Sequence, residues 1–358
     1  MTLIDHTKSD VSALAQSVVT AAMNANEVRG VGAGPIQVVA STSSDPLQVT
    51  VTAVQSHVGF LGGFGLQSSN ISVRSVARVM GKPNICVLGL DPSDSGTIEM
   101  WSKARLTAQN CAVYSNSTST DAIASKQHAT MSATMICSVG GASGMKDAYK
   151  PQPITDCPIF DDPLASRAAP AFGGCSVNKL RLVDQVITLQ PGVYCGGITI
   201  GGTSAVTFAP GEFVIKEGPL IVTDHASVTG EHVGFYLTGK DARFSFGTNT
   251  TITLTAPVSG AMAGLLFHES RDQKTSVTHE INSDNARMLL GTIYLPQGEL
   301  RIDANKPVAD QSAYTAIVVR KLRLFSGPNL ILNTNYGSTT VPVPEGIKGV
   351  GQPVALVQ

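Results

Sequence analysis

One short pattern restricts this chain more than any other. Ile187-Thr-Leu-Gln-Pro-Gly-Val-Tyr194 returns as Val206-Thr-Phe-Ala-Pro-Gly-Glu-Phe213, so that Pro191-Gly192 and Pro210-Gly211 stand 19 residues apart. A third copy, Val228-Thr-Gly-Glu-His-Val-Gly-Phe-Tyr236, places Gly230 a further 19 on, and weaker copies follow at 252–267, 288–295 and 316–324. A repeat of this length is one coil of a parallel β-helix, in which short strands alternate with turns and each coil lies ~4.8 Å from the next. Alternate residues such as Ile198 and Ile200 then point into a dry stack while Thr199 faces water. A β-sandwich or barrel also yields short strands at regular spacing. The kept register of the Pro-Gly copies favours the solenoid.

The composition agrees. The 35 Gly and 19 Pro stand beside abundant Thr, Val and Ser, which suit strands and turns and exclude a helical bundle. With 42% apolar residues, 358 residues are ample for a core. The formal net charge is −1 with 14% charged residues and no basic run, so nucleic acid is not an expected partner. No stretch reaches the ~18 apolar residues of a membrane helix, and the first residues lack the charged and apolar regions of a signal peptide.

Three regions follow from the patterning. Residues 1–83 read as a helix plus a small α+β unit. Val11, Leu14, Ala15, Val18, Val19, Ala22 and Met23 recur at helical spacing within 5–28, and strand-like runs follow at 36–40, 47–54 and 71–80. Residues 84–336 read as the β-helix, with 140–174 a long surface crossing. Residues 337–358, rich in Pro and Gly, read as an extended or disordered tail. The expected fold is therefore mainly β: a disulfide-braced parallel β-helix preceded by a small α+β unit with an N-terminal helix.

The bracing comes from Cys86, Cys111, Cys137, Cys157, Cys175 and Cys195, separated by 25, 26, 20, 18 and 20 residues. There is no CxxC and no close Cys/His pair, which argues against zinc, and no metal or other cofactor is expected. An even set of cysteines in a low-charge chain suggests oxidised pairs in an exported protein. Six buried free thiols are the alternative. Fifteen connectivities are possible. Because the separations approach one coil, pairing of sequence neighbours suits stacked positions.

Other motifs point to little chemistry. Gly30-Val-Gly-Ala-Gly34 follows a helix and precedes a strand, the reverse of a dinucleotide fingerprint. His268-Glu269 and His279-Glu280, around Arg271, Asp272 and Lys274, lack the HExxH spacing and read as a charged loop. Asp156, Asp161 and Asp162 do not specify a calcium loop. Arg320, Lys321 and Arg323 offer bases of the kind polysaccharide lyases use, but no acid stands at strand spacing beside them, with Asp303 and Asp310 nearest in sequence. No Gly-x-Ser-x-Gly elbow occurs. Asn70, Asn116 and Asn249 begin formal glycosylation triplets. The chain has one Trp, Trp101, a thin signal for sugar stacking.

As a set, several segments resemble the exported part of TadG-like proteins (the TadE/G-like family) of bacterial tight-adherence, Flp-type pilus systems. They are Cys86-Val-Leu-Gly-Leu-Asp91-Pro, Asn110-Cys111-Ala-Val-Tyr-Ser-Asn116-Ser, Asp162-Pro-Leu-Ala165, Gly174-Cys175 and Leu189-Gln-Pro-Gly-Val-Tyr-Cys195-Gly-Gly197. Ala209-Pro-Gly-Glu-Phe-Val-Ile215, Leu254-Thr-Ala-Pro257, Gly264-Leu-Leu-Phe267 and Gly291-Thr-Ile-Tyr-Leu-Pro296 continue the match in order, over about 84–325. The resemblance implies a non-enzymatic envelope protein, periplasmic or extracellular. Its expected partners are other pilus-assembly or minor pilus proteins and a host or abiotic surface, and its membrane contact is through an anchor absent from this chain. It implies no catalytic residues, and it makes Cys86/Cys111 and Cys175/Cys195 the best-supported pairs. Val11, Leu14, Val18, Val19 and Ala22 are the candidate partner-docking face, with burial against the following strands an equal reading. A carbohydrate- or surface-binding adhesin at a pilus tip, and a β-helix polysaccharide-active enzyme, are the alternatives.

Overall fold

The computed structural model describes residues 8–25, 33–44, 47–57, 69–79, 83–273, 276–349 and 354–357. They form two compact units, 1–82 with 350–358, and 83–349.

In the first unit α1 (Lys8–Ala25) lies against β1 (Ala33–Ser44) and β2 (Leu47–His57), which pair antiparallel with each other and then with β3 (Ser69–Val79). The fourth strand, Val354–Val357, pairs antiparallel with β3, Val354 beside Val79. Residues 354–357 are thus tied into a sheet, where the Pro and Gly content of 337–358 pointed to an extended or disordered tail. The Gly30–Gly32 part of the glycine run lies outside the described residues. Gly34 is in β1.

The second unit is a parallel β-solenoid of about 11 turns. Each full coil contributes three strand segments, and stacking them gives three faces. The first face carries 192–195, 211–216, 233–238, 265–269, 291–295, 315–319, 85–89, 112–115 and 135–138. The second carries, among others, Leu220–Val222, Phe244–Phe246, Thr278–Ile281, 299–302, 321–324 and Ile98–Met100. The third carries Val186–Leu189, Ala205–Phe208, Ser227–Gly230 and Thr251–Thr255, and continues to 105–108 and 130–133. Ile198 and Ile200 are fully buried and Thr199 half-exposed, as alternation requires.

The repeat register differs from the motif in one respect. Ile187 lies beside Val206, a step of 19, but Val206 lies beside Val228, a step of 22. Gly230 consequently sits beside Phe208, and Gly211 beside Val233. Turns of unequal length take up the difference, so strand register is kept while the turn glycine moves.

The coils are not stacked in chain order. Val87 lies beside Ile317 and Ile98 beside Leu322, so the first coil of the unit docks on its last. The second unit begins inside the stack, builds outward to Tyr149–Lys150, and must then return to the far end, where among the described residues Val177–Val183 pairs only with 194–201. Ten rises cover roughly 50 Å, within reach of the ~22 extended residues of 155–176. This crossing is shorter than the 140–174 expected, because 142–150 still forms a partial coil.

The crossing segment runs along the outside of the first face and is held rung by rung. Tyr114 Oη donates to the Pro158 carbonyl, and Asn116 exchanges two hydrogen bonds with Phe160, at 2.8 and 2.9 Å. Tyr294 Oη donates to Asp162 Oδ2 at 2.6 Å, Arg271 donates to the carbonyls of Leu164 and Arg167, and Arg167 to those of Ala261 and Ala263. Phe172 then meets Tyr236. The segment 341–349 lies on the same face, with Tyr314 Oη donating to Pro342 and the Ile85 amide to Ile347. The outward row Val214, Tyr236, His268, Tyr294, Val318, Leu88, Tyr114 is therefore buried although it faces away from the core. A parallel sheet covered on both sides is buried at every position rather than at alternate ones, which is what Ile85–Gly89 and Leu265–Glu269 show, whereas Val206-Thr-Phe208 and Ile252-Thr-Leu254 alternate on an open face.

The disulfides are Cys86–Cys111, Cys137–Cys157 and Cys175–Cys195, joining sequence neighbours across adjacent coils. The last two clamp the crossing segment at its start and at its end. Three disulfides mark a protein of a non-cytoplasmic compartment. No described helix is long and apolar enough to cross a membrane.

Candidate functional site

The corner between the second and third faces repeats one turn in three successive coils. Trp101 to Ala104 and Lys126 to Ala129 each close with a carbonyl-to-amide hydrogen bond, at 3.0 and 3.2 Å. Both central residues of each turn are left-handed: Ser102 and Lys103 (φ 51° and 65°), Gln127 and His128 (52° and 63°). Ser326 and Gly327 (56° and 89°) repeat the conformation in the neighbouring coil. Turns with two positive φ values favour Asn-Gly or Gly-Gly, since a Cβ there costs about 1–2 kcal/mol per residue. The turns are tied together by Lys103 N to the Gln127 carbonyl at 3.0 Å and Ser102 Oγ to Gln127 Oε1 at 2.8 Å.

These turns frame a groove of about 620 Å³. Lys103, Arg105 and His128 line it with the hydroxyls of Ser102, Thr130 and Ser326, and no carboxylate is among its lining residues. Lys103, Arg105 and His128 are exposed, and their side chains have no ion pair among the described residues. Beside the groove Trp101 and Phe325 stack at 6.4 Å, with Lys126 over the Trp101 ring and Arg301 over that of Phe325. Both outer ring faces are thus occupied by cations, which leaves the pair as a wall rather than a stacking platform.

The second face itself is an ordered charge ladder, Glu280, Arg301, Arg323, Glu99. Lys126 meets Glu99 at 2.6 Å, and Arg323 lies between Glu99 and Glu299 at 3.6 and 3.5 Å. Arg320 donates to Asp91 at 2.8 Å, and Lys321 pairs with Asp94. Burial pushes the Asp91 carboxyl up, but the Ser93 and Asp94 amides and Arg320 outweigh it and hold the group below the usual carboxylate range. The sequence showed no acid near Arg320, because its partner is 229 residues away and arrives only when the first coil docks on the last. Asp303 pairs instead with Arg301 and Asp310 with Arg287.

His268, Glu269 and His279 are not in a charged loop; all three lie in strands and are at most 1% exposed. Glu269 accepts from the Gln297 and Gly298 amides at 2.9 and 2.8 Å and lies 3.3 Å from His279 Nε2, while His279 Nδ1 accepts from the Phe244 amide. That pairing assigns the proton to Nε2 and satisfies the carboxylate inside the core. A Cβ on Gly298 would come within 2.7 Å of the His279 ring, so only glycine fits. This closed network braces the coil and has no route to a substrate. On the covered face, burial lowers the His268 pKa to about 4, with Arg271 and Arg167 adding to the shift. Burial also pushes Tyr114 up to about 12 and raises Tyr294, so both stay hydroxyl donors to the crossing segment.

The other sequence candidates stand apart. Asp162 is tied to Tyr294, and Asp156 sits in the turn before Cys157. Among the described residues no three His, Cys, Asp or Glu side chains group to hold a metal. Asn116 is 8% exposed with both amide atoms bonded to Phe160, which leaves no acceptor for a glycan; Asn70 and Asn249 are exposed. On α1, Leu14 and Val18 are exposed at 40% and 58%, Ala22 is exposed and Val19 half-buried; the Val11 side chain lies outside the described residues. Sequence reasoning missed the groove, because 102–105 and 128–130 meet only once consecutive coils stack, and 326–327 joins them only when the first coil docks on the last.

No family model matches the chain, and neither the curated proteins nor the solved structures compared with it include a match.

Proposed function

We propose that this chain is a non-enzymatic structural component of a bacterial tight-adherence pilus system, working in the periplasm or outside the cell. The family assignment rests on the ordered motif resemblance over 84–325. The observation that carries the structural role is the crossing segment 155–176, clamped by Cys137–Cys157 and Cys175–Cys195 and bonded to successive coils between them. Such a segment makes a stack whose two ends cannot separate without breaking a covalent tie. Rigidity of this kind supports presenting regular rows to other subunits. Thr188, Thr207, Thr229 and Thr253 form one such row on the open third face. Several ionisable groups outside the groove hold coils together, as at Glu269–His279, Arg320–Asp91 and Arg323–Glu99.

Deleting the gene in its own bacterium and counting surface pili by electron microscopy tests this reading. Loss of pili, restored by the wild-type chain, is expected. Unchanged pili and adhesion would overturn it.

A further inference from the structure

We infer that the corner groove is a binding site for an acidic polysaccharide, a polymer of carboxylate-bearing sugars lying along the stack axis. Three observations converge on it. The groove gathers Lys103, Arg105 and His128 without a carboxylate among its lining residues, while Lys126, Arg301 and Arg323 beside it are all ion-paired. Cations left unpaired in one recess are free to meet anionic oxygens, and an arginine fork suits a carboxylate.

The second observation is backbone strain. Where the chain needs two successive left-handed residues at another corner it uses Gly196-Gly197 (φ 71° and 84°). At the groove it places Ser102-Lys103 and Gln127-His128 in that conformation. Strained non-glycine residues of this kind concentrate at functional sites. Here the strain fixes one basic side chain at the groove lip in each of two adjacent coils, Lys103 and His128.

The third is spacing. Lys103 and His128 belong to adjacent coils, ~4.8 Å apart, about the length of one sugar residue, so polar nitrogen donors repeat in step with a glycan chain. The hydroxyls of Ser102, Thr130 and Ser326 supply donors and acceptors for sugar hydroxyls. A nucleic acid duplex requires many phosphate contacts, which Lys103 and Arg105 with one histidine, in a chain of net charge −1, do not offer.

The inference does not depend on the pilus assignment, since it rests on the groove alone and is read by a binding assay. The full oxidised chain is titrated calorimetrically with polygalacturonate oligomers at low and high salt, with dextran and inorganic polyphosphate as comparison probes. Binding of the uronate that weakens at least tenfold at high salt, with none to dextran, is expected. The double variant Lys103→Ala with Arg105→Ala should lose at least tenfold in affinity while keeping its Tm. The variant Lys103→Gly with His128→Gly separates site from scaffold: affinity falls while Tm stays at or above wild type, because glycine relieves the left-handed positions. Wild-type affinity in either variant overturns the site. Tighter binding of polyphosphate than of the uronate overturns the ligand class.

Discussion

The coils of 206–267 and those of 98–138 fill the same interior with different residues. The first set stacks Phe208, Phe213, Phe235, Phe244, Phe246 and Phe267, each at most 1% exposed, with centroids 4.2–6.1 Å apart. The second has no phenylalanine; Ala104, Ala108 and Ala129 share its core with Ile98, Leu106, Val113, Ile123 and Ile136. Aromatic rings bury 150–250 Å² each, so the first set holds itself together by apolar burial. The alanine-rich set buries less per coil, and there the chain adds covalent ties: Cys86–Cys111 lies within the core and Cys137–Cys157 closes its outer coil. Within the stack the alanine-rich coils thus add cross-links to a smaller buried area, while at the phenylalanine end the one disulfide, Cys175–Cys195, fastens the crossing segment.

The sharpest way to break that comparison is Phe235→Ala, which leaves a cavity among Phe208, Phe213 and Phe267. A loss of about 3–5 kcal/mol in urea unfolding is expected, and a loss under 1 kcal/mol would mean the ring stack is not what holds these coils. Next in size, Cys86→Ser with Cys111→Ser should cost roughly 3–4 kcal/mol for a loop of this length. Reduction with wild-type stability would place the burden on the alanine core instead.

A third effect, of about 3 kcal/mol, is read by pH. The folded state holds His268 near 4, below the unfolded value of about 6.5, so the unfolded chain binds the extra proton between these values. Stability contributed by the neutral imidazole is complete above about pH 6.5 and is lost as pH falls to about 4. His268→Phe should flatten the dependence of urea midpoints in that window, and an unchanged slope would sink the assignment. The smallest effect is at the crossing segment. Arg271→Ala removes its donors to Leu164 and Arg167 and should cost about 2 kcal/mol. Amide exchange should rise at 158–168 and stay unchanged in the phenylalanine coils.

Local sequence set much of this architecture. Val206-Thr-Phe208 and Ile252-Thr-Leu254 alternate because one side is core and the other water, and the near-coil spacing of the cysteines anticipated bonds between neighbours. Both properties live within one coil or between consecutive coils, where chain order and spatial order agree. The uninterrupted apolar run at Ile85–Gly89 also carried a signal of a face covered on both sides, but not of what covers it.

Tertiary structure alone decided the rest. Val87 meets Ile317 through a parallel pairing that no local pattern specifies, and from that one contact follow the Arg320–Asp91 pair, the return of 155–176 along the outside, and the groove. The physical reason is that stacking is degenerate: any coil with inward aliphatic residues can lie on any other. The free energy of burying the two otherwise open coil ends against each other selects this order, and it acts between residues more than two hundred apart in the chain.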